Sequence, residues 1–112
     1  MHEIKLAEDL VNILNKEVSS PEVGKVKTVY LEVGKLRYIV PEIMRSCFVH
    51  IPKDKKLEEA EINIKILPIK IKCKKCKTER VVDNGIYVCE TCLSEEAKLI
   101  SGNEFMVKGI EW

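Results

Sequence analysis

A chain of 112 residues is the length of one small domain, or of one domain with a minor appendage, and its 46% hydrophobic content argues against disorder. The 19 basic and 18 acidic residues give a net charge of +1, which excludes a basic nucleic-acid footprint over the whole molecule but leaves room for a local patch. No apolar run approaches the roughly 18 residues that span a bilayer, and no apolar signal segment follows Met1, so we expect a cytoplasmic protein without membrane contact.

The first predicted elements are a helix and a strand. Residues 3–18 have apolar positions at helical spacing, which predicts an amphipathic helix that lies on a sheet and ends at Ser19-Ser20-Pro21. Its predicted core-facing stripe contains Ile4, Leu6, Ala7, Leu10, Val11, Ile13, Leu14 and Val18. Residues 26–33 follow as a β-rich segment with Val29, Leu31 and Val33 on one face, which predicts a strand.

A second helix is predicted to begin near Pro41, because proline suits the first helical turn. Its apolar face should contain Ile43, Met44, Cys47 and Phe48. The charged residues 53–59 then predict a solvated loop.

The next strand changes face at a proline. Ile62, Ile64 and Ile66 occupy even-numbered positions and therefore one face of a strand. Ile69 and Ile71 occupy odd-numbered positions and therefore the other face. Because a strand cannot change face without a bulge or a bend, the sequence predicts a hinge at Pro68.

The final predicted strand, residues 104–112, needs a sheet that the cysteine-rich segment is too small to provide. We therefore expect it to return to the sheet of the first domain. The predicted fold class is α+β, with a small sheet and two helices over residues 1–69 and 97–112. An inserted four-cysteine module of the zinc-ribbon type, residues 70–96, interrupts it.

The inserted module carries the pattern C-x2-C-x12-C-x2-C, formed by Cys73, Cys76, Cys89 and Cys92. Two such knuckles supply the four thiolates that Zn(II) prefers in closed structural sites. Two disulfides, a redox dithiol and an iron-sulfur cluster are the alternatives. Asn84-Gly85 suits the turn of a short hairpin between the knuckles. The residue after the second cysteine is often glycine because a positive φ is easily reached there, and here it is Lys77 or Leu93.

Five lysines surround the first knuckle and suggest two interpretations. They are Lys70, Lys72, Lys74, Lys75 and Lys77. One interpretation is a solvated face that offsets the charge of −2 on a zinc tetrathiolate, which we favour. The other is a zinc ribbon that binds RNA or a transcription complex, although single-strand binders interleave aromatic residues that are scarce here.

The amino terminus offers a second metal-binding motif. The α-amine of Met1, the amide of His2 and the imidazole of His2 close two adjacent chelate rings, and Glu3 adds an amide or a carboxylate as a fourth donor. Such nitrogen and oxygen donors suit square-planar Ni(II) or Cu(II). From the spacing alone, a surface histidine without a metal remains an alternative.

The order of these motifs resembles the HypA family of nickel metallochaperones for [NiFe]-hydrogenase maturation. The resemblance spans the whole chain and rests on Met1-His2-Glu3, the segment 29–36, Pro41-Glu42, the twin knuckles, Ser101-Gly102 and the closing segment 107–111. It implies Ni(II) as a transient cargo at Met1, His2 and Glu3, and a structural Zn(II) in an inserted domain. It also implies the GTPase HypB and a hydrogenase large-subunit precursor as partners, no reaction of its own, and a monomer or weak homo-oligomer without nucleic acid.

Two positions depart from the resemblance, and two further residues on the second helix are assigned no metal. Some family members have an acidic residue near the second helix that assists nickel, where this chain has Val40. Many have a small hydroxyl residue where this chain has Lys5. His50, at the predicted end of the second helix, is expected to pack or cap rather than to bind metal, and Cys47 to be a buried hydrophobe.

Overall fold

The computed structural model of the chain describes residues 2–83 and 96–112, without the side chain of His2. Within these ranges two α-helices, separated by one strand, are followed by five more strands. They are α1 (His2–Glu17), β1 (Thr28–Gly34), α2 (Pro41–His50), β2 (Glu61–Leu67), β3 (Ile69–Cys73), β4 (Glu79–Val82), β5 (Ala97–Ser101) and β6 (Phe105–Glu111). Short 3-10 turns at Lys35–Arg37 and Lys55–Leu57 complete the description.

The strands form two sheets of three strands each. The first has the order β2-β1-β6 and the second the order β4-β3-β5. Two helices with small sheets confirm the predicted α+β class, and the final strand does pair with β1 as expected. None of the helices in the described residues is long and apolar enough to cross a membrane.

The chain divides into two compact units. The first unit comprises Met1–Leu31, Ile39–Lys65 and Val107–Trp112, and the second comprises Glu32–Tyr38 and Ile66–Met106. The predicted module of residues 70–96 lies inside the second unit, which is wider than that module. The chain passes between the units four times, and at three of these points a strand (β1, β2 or β6) runs from one unit into the other.

Helix α1 packs against α2 and buries one stripe in the core of the first unit. Ala7, Leu10, Leu14 and their neighbours on this stripe are fully buried. The predicted stripe is rotated, however, because Ile4 and Ile13 are 42% and 39% exposed while Glu3 is only 6% exposed. The carboxylate of Glu3 therefore occupies a position that hydrophobic periodicity assigned to an apolar side chain.

The end of α1 is stabilised by a lysine from a later turn. The Nζ atom of Lys56 donates to the carbonyl oxygens of Val18 and Ser20, at 2.9 and 3.1 Å. The last carbonyls of a helix lack partners within the helix and carry a partial negative charge. Val18 directly follows the helix, so the ammonium group complements that charge there; the Ser20 carbonyl also accepts the Val23 N–H.

Helix α2 begins at Pro41 as predicted, but its buried face is narrower than expected. Met44 and Phe48 are buried. Ile43 is exposed, and Cys47 is only half-buried, so both predictions of burial were wrong. Because α2 has ten residues and packs against one neighbouring helix, a single row of buried apolar side chains is sufficient to hold it.

The change of parity at Pro68 marks a change of sheet. Ile62 is buried in β2, and Ile69 and Ile71 are buried in β3 with the opposite parity. Since β2 and β3 belong to different sheets, the buried face of each strand is set by the sheet to which that strand belongs. Ile66 at the end of β2 is exposed, which contradicts its predicted place on the buried face.

Two glycines bring the backbone of the second unit together. The N–H of Gly34 donates to the Glu104 carbonyl at 2.7 Å, and the N–H of Leu36 donates to the Gly102 carbonyl at 2.8 Å. A Cβ atom on Gly34 would overlap the backbone of Gly102, whose own φ is +118°. Position 34 therefore requires glycine because a side chain has no space there, and position 102 requires it because of its positive φ.

Candidate functional site

The amino-terminal motif lies in the first turn of α1. The helix begins at His2, and Glu3 follows in the same turn. Backbone N–H groups of a first helical turn have no acceptor within the helix. A metal ion can therefore replace the amide proton of His2 without breaking a helical hydrogen bond. Met1 and the imidazole of His2 lie outside the described residues.

Glu3 is the predicted nickel residue whose side chain the structure describes. Its Oε2 atom accepts a hydrogen bond of 3.1 Å from the backbone N–H of Val40. Val40 is the extended residue that precedes Pro41 at the start of α2, and it has no side-chain cap of its own. The carboxylate thus connects the first turn of α1 to the first turn of α2.

Position 40 is adjacent to the amino-terminal motif in the first unit. In the sequence, this position is notable only because it lacks a carboxylate. The structure shows that its backbone, rather than its side chain, contacts Glu3. A hydrogen bond between residues so distant in the chain leaves no periodic signal in the sequence, so it could not be predicted.

Lys5 is oriented along the surface of α1. Its Nζ atom lies 3.0 Å from Oδ1 of Asp9, one helical turn further on. The hydrogen bond to Asp9, together with the charge of that carboxylate, raises the pKa of Lys5 above its ordinary value. The ammonium group is therefore charged at neutral pH.

The first knuckle is a tight turn between β3 and β4. Cys73 is the last residue of β3 and is buried, and Cys76 is half-buried in the turn. The N–H of Lys77 donates to the Cys73 carbonyl at 3.0 Å, and the N–H of Cys73 donates to the Thr78 carbonyl at 2.9 Å. Lys77 has a φ of 64°, a left-handed conformation in which glycine is common. The turn accepts that conformation without a glycine.

The two thiols of this knuckle fit one half of a zinc site. They lie three residues apart in a single turn, and the Cys76 thiol donates to the Thr78 hydroxyl oxygen at 3.2 Å. Cys89, Cys92 and the predicted Asn84-Gly85 turn lie outside the described residues. In residues 3–83 and 96–112, no three His, Cys, Asp or Glu side chains form a metal-binding group.

Cys47 and His50 lie on α2 and belong to neither motif. They line an apolar cavity of 260 Å³ together with Ile4, Ser46 and Ile51. His50 is the last residue of the helix and is exposed, so it does not pack as predicted. A histidine at this end of a helix complements the helix dipole when it is protonated.

Comparison with known proteins identifies one family. The family model described as "Hydrogenase/urease nickel incorporation, metallochaperone, hypA" matches residues 1–112. The hydrogenase maturation factor HypA of Desulfatibacillum aliphaticivorans is 42% identical over 112 residues, which cover 99% of this chain and 86% of that protein. The HypA of Desulfosudis oleivorans is 34% identical over 115 residues, with 99% and 97% coverage.

Solved structures with low sequence identity share the fold. The solution structure of the Ni metallochaperone HypA from Helicobacter pylori has a TM-score of 0.69 at 20% identity, over 97% of this chain and 95% of that one. A second solution structure of a HypA protein has a TM-score of 0.73 at 21% identity, with 99% and 95% coverage. These matches give no support to the alternative of a zinc ribbon that binds RNA.

Proposed function

The chain belongs to the HypA family of metallochaperones for hydrogenase and urease nickel incorporation, and we propose that it binds Ni(II) at its amino-terminal motif and delivers the ion in the cytoplasm to a [NiFe]-hydrogenase large-subunit precursor. The nickel ion is a cargo, so the chain carries out no reaction of its own. The GTPase HypB is the expected partner for delivery. The observation that carries the proposal is the position of His2 and Glu3 at the start of α1.

The ligand set follows from the chemistry of that turn. The Met1 amine, the His2 amide and the His2 imidazole supply three nitrogen donors in one chelate. Because the Glu3 carboxylate is buried and accepts the Val40 N–H, we assign the fourth donor to the backbone amide of Glu3. Four nitrogen donors in a plane favour Ni(II), and an exposed terminus allows the ion to be released.

The zinc site has a structural role in this proposal. Cys73, Cys76, Cys89 and Cys92 would hold Zn(II) as a tetrathiolate, which supplies folding energy to residues 70–96 and leaves no open coordination position. The tight turn that presents the first two thiols supports this assignment. In this proposal nickel at the amino terminus is the ion that is delivered, and zinc at the cysteines of residues 70–96 stabilises the fold.

The test is nickel titration of zinc-loaded protein with a native amino terminus. His2→Ala should weaken nickel binding by at least about tenfold, because it opens a chelate ring, and a two-residue extension before Met1 should do the same. His50→Ala is the matched control and should bind nickel as the parent does. If His2→Ala binds nickel with undiminished affinity, the amino-terminal site is wrong.

A further inference from the structure

Four lysines of the second unit surround one small cavity. Lys72, Lys74, Lys77 and Lys98 line a space of 210 Å³ together with Cys73. We call these four residues the lysine cradle. Lys98 is distant in sequence from the lysines of the first knuckle, so the cradle is a product of the fold.

The sheet and the knuckle turn bring the cradle together. Strand β3 is central in the second sheet, and its register with β5 places Lys72 directly opposite Lys98. The N–H of Lys74 donates to the Glu96 carbonyl at 2.9 Å, which fixes the start of the turn beside β5. The left-handed conformation of Lys77 directs the chain back toward Cys73, whose carbonyl accepts the Lys77 N–H.

Within residues 2–83 and 96–112, no carboxylate lies within ion-pair distance of a cradle lysine. Glu79 of β4 lies opposite Lys72 on its other side, but its carboxylate pairs with Lys70 at 3.4 Å. Within the described residues, none of the four cradle lysines forms an ion pair; those that exist there involve other lysines and an arginine. Like charges directly opposite across two strands destabilise a sheet. The repulsion between Lys72 and Lys98 therefore destabilises the second sheet, and an anion in the cavity would remove this destabilisation.

The cavity favours a compact anion with more than one charge. A zinc tetrathiolate at Cys73 would carry a charge of −2 and leave two of the four positive charges uncompensated. A phosphate monoester carries about −1.5 to −2 at pH 7, whereas a carboxylate carries only −1. Lysine ammonium groups bind phosphate as point charges. Among the described residues that line the cavity, none is aromatic, so this part of the lining offers no ring on which a base could stack.

We propose that the lysine cradle binds a phosphate-class oxyanion, either a free one such as pyrophosphate or the phosphate chain of a nucleotide. This site is distinct from the amino-terminal motif and adds an anion-binding function to the second unit. The anion would stabilise the sheet beside the first knuckle, because it neutralises the repulsion between Lys72 and Lys98.

The first experiment is calorimetric titration of zinc-loaded, full-length protein with pyrophosphate at low ionic strength. The parent should bind, and Lys72→Gln with Lys98→Gln should lose at least about tenfold in affinity. The matched control, Lys16→Gln with Lys108→Gln, removes the same charge from the first unit and should lose less than about twofold. Equal losses in both pairs, or no binding by the parent, would overturn the proposal.

A second measurement separates binding from folding. Lys98→Glu places a carboxylate opposite Lys72, so it should abolish pyrophosphate binding while raising the melting temperature by a few degrees. A Lys98→Glu protein no more stable than the parent would contradict the repulsion on which the proposal depends.

The source of the oxyanion is decided by comparing ligands. Binding of ADP more tightly than pyrophosphate would support the proposal and assign the phosphate chain of a nucleotide, and equal or weaker binding would support a free oxyanion. Tighter binding of a glutamate-rich peptide or of single-stranded RNA than of pyrophosphate would overturn the phosphate assignment.

Discussion

Glu3 and Val40 are separated by 37 positions in the chain, and a hydrogen bond of 3.1 Å joins the Oε2 atom of Glu3 to the backbone N–H of Val40. Because α1 begins at His2 and α2 begins at Pro41, this bond holds together the first turns of both helices. The geometry of the amino-terminal motif therefore depends on a residue that precedes the second helix.

The first prediction concerns this hydrogen bond. Glu3→Ala should lower the free energy of unfolding by about 1–3 kcal/mol, because it leaves the Val40 N–H without its acceptor. Glu3→Gln retains an acceptor oxygen and should lose less. Chemical denaturation measures both losses.

The same variant distinguishes the two donors that Glu3 offers to nickel. If the backbone amide is the ligand, folded Glu3→Gln protein should bind nickel within about twofold of the parent affinity. A loss of tenfold or more in that protein would assign the carboxylate instead.

A second prediction separates the zinc cysteines from the remaining one. Cys73→Ser should lose zinc and unfold the second sheet, because Cys73 is buried at the end of its central strand. Cys47→Ser is the matched control and should retain one zinc per chain, since Cys47 lies on α2. Metal analysis and amide exchange check both results, and a metal-free parent with two disulfides would refute the zinc assignment.

A third prediction tests the close approach of two glycines. Gly34→Ala should lower the free energy of unfolding by at least about 3 kcal/mol, because its methyl group would overlap the backbone of Gly102. Gly109→Ala is the control, since no atom lies within 4 Å of the added methyl group. Its stability should be unchanged or higher by up to about 1 kcal/mol. Equal losses in the two variants would contradict the steric explanation.

A fourth prediction concerns the acid dependence of nickel binding. Nickel affinity should fall steeply below about pH 6.5, because protons then compete with nickel for the imidazole. Protons compete for the α-amine already at higher pH, since the ordinary pKa of an α-amine is about 8. Nickel titrations between pH 5.5 and 8 on the same zinc-loaded sample measure this dependence. An affinity that does not change over this range would exclude an imidazole and amine pair as ligands.

Local patterns predicted both helices and the strands β1, β2, β3 and β6, but they did not predict β5, and they failed where distant residues decide burial. The change of parity at Pro68 was readable because alternation in a strand is a local property, and it coincides with the change of sheet. The predicted burial of Ile4 was wrong, since Glu3 occupies the core-facing position through its bond to Val40.

The candidate sites could likewise be predicted only where their residues lie close together in the sequence. The cysteine spacing was sufficient to predict the first knuckle as a turn with two thiols. Three of the cradle lysines were predicted only as charges near that knuckle, and Lys98 was not predicted to join them, because its pairing with Lys72 depends on the register between β3 and β5. Registers between strands that are not adjacent in sequence require the tertiary fold.

The pairing of β6 with β1 has a consequence for synthesis on the ribosome. The N–H of Lys27 donates to the Glu111 carbonyl at 2.7 Å, and β1 is the middle strand of its sheet. The amino-terminal motif emerges first, yet the sheet of its unit cannot close until residue 111 has been made. At about 5–20 residues per second, the nascent chain therefore exposes an open edge of β1 for several seconds. A chaperone that covers β-strand edges would be most useful to this protein during that interval.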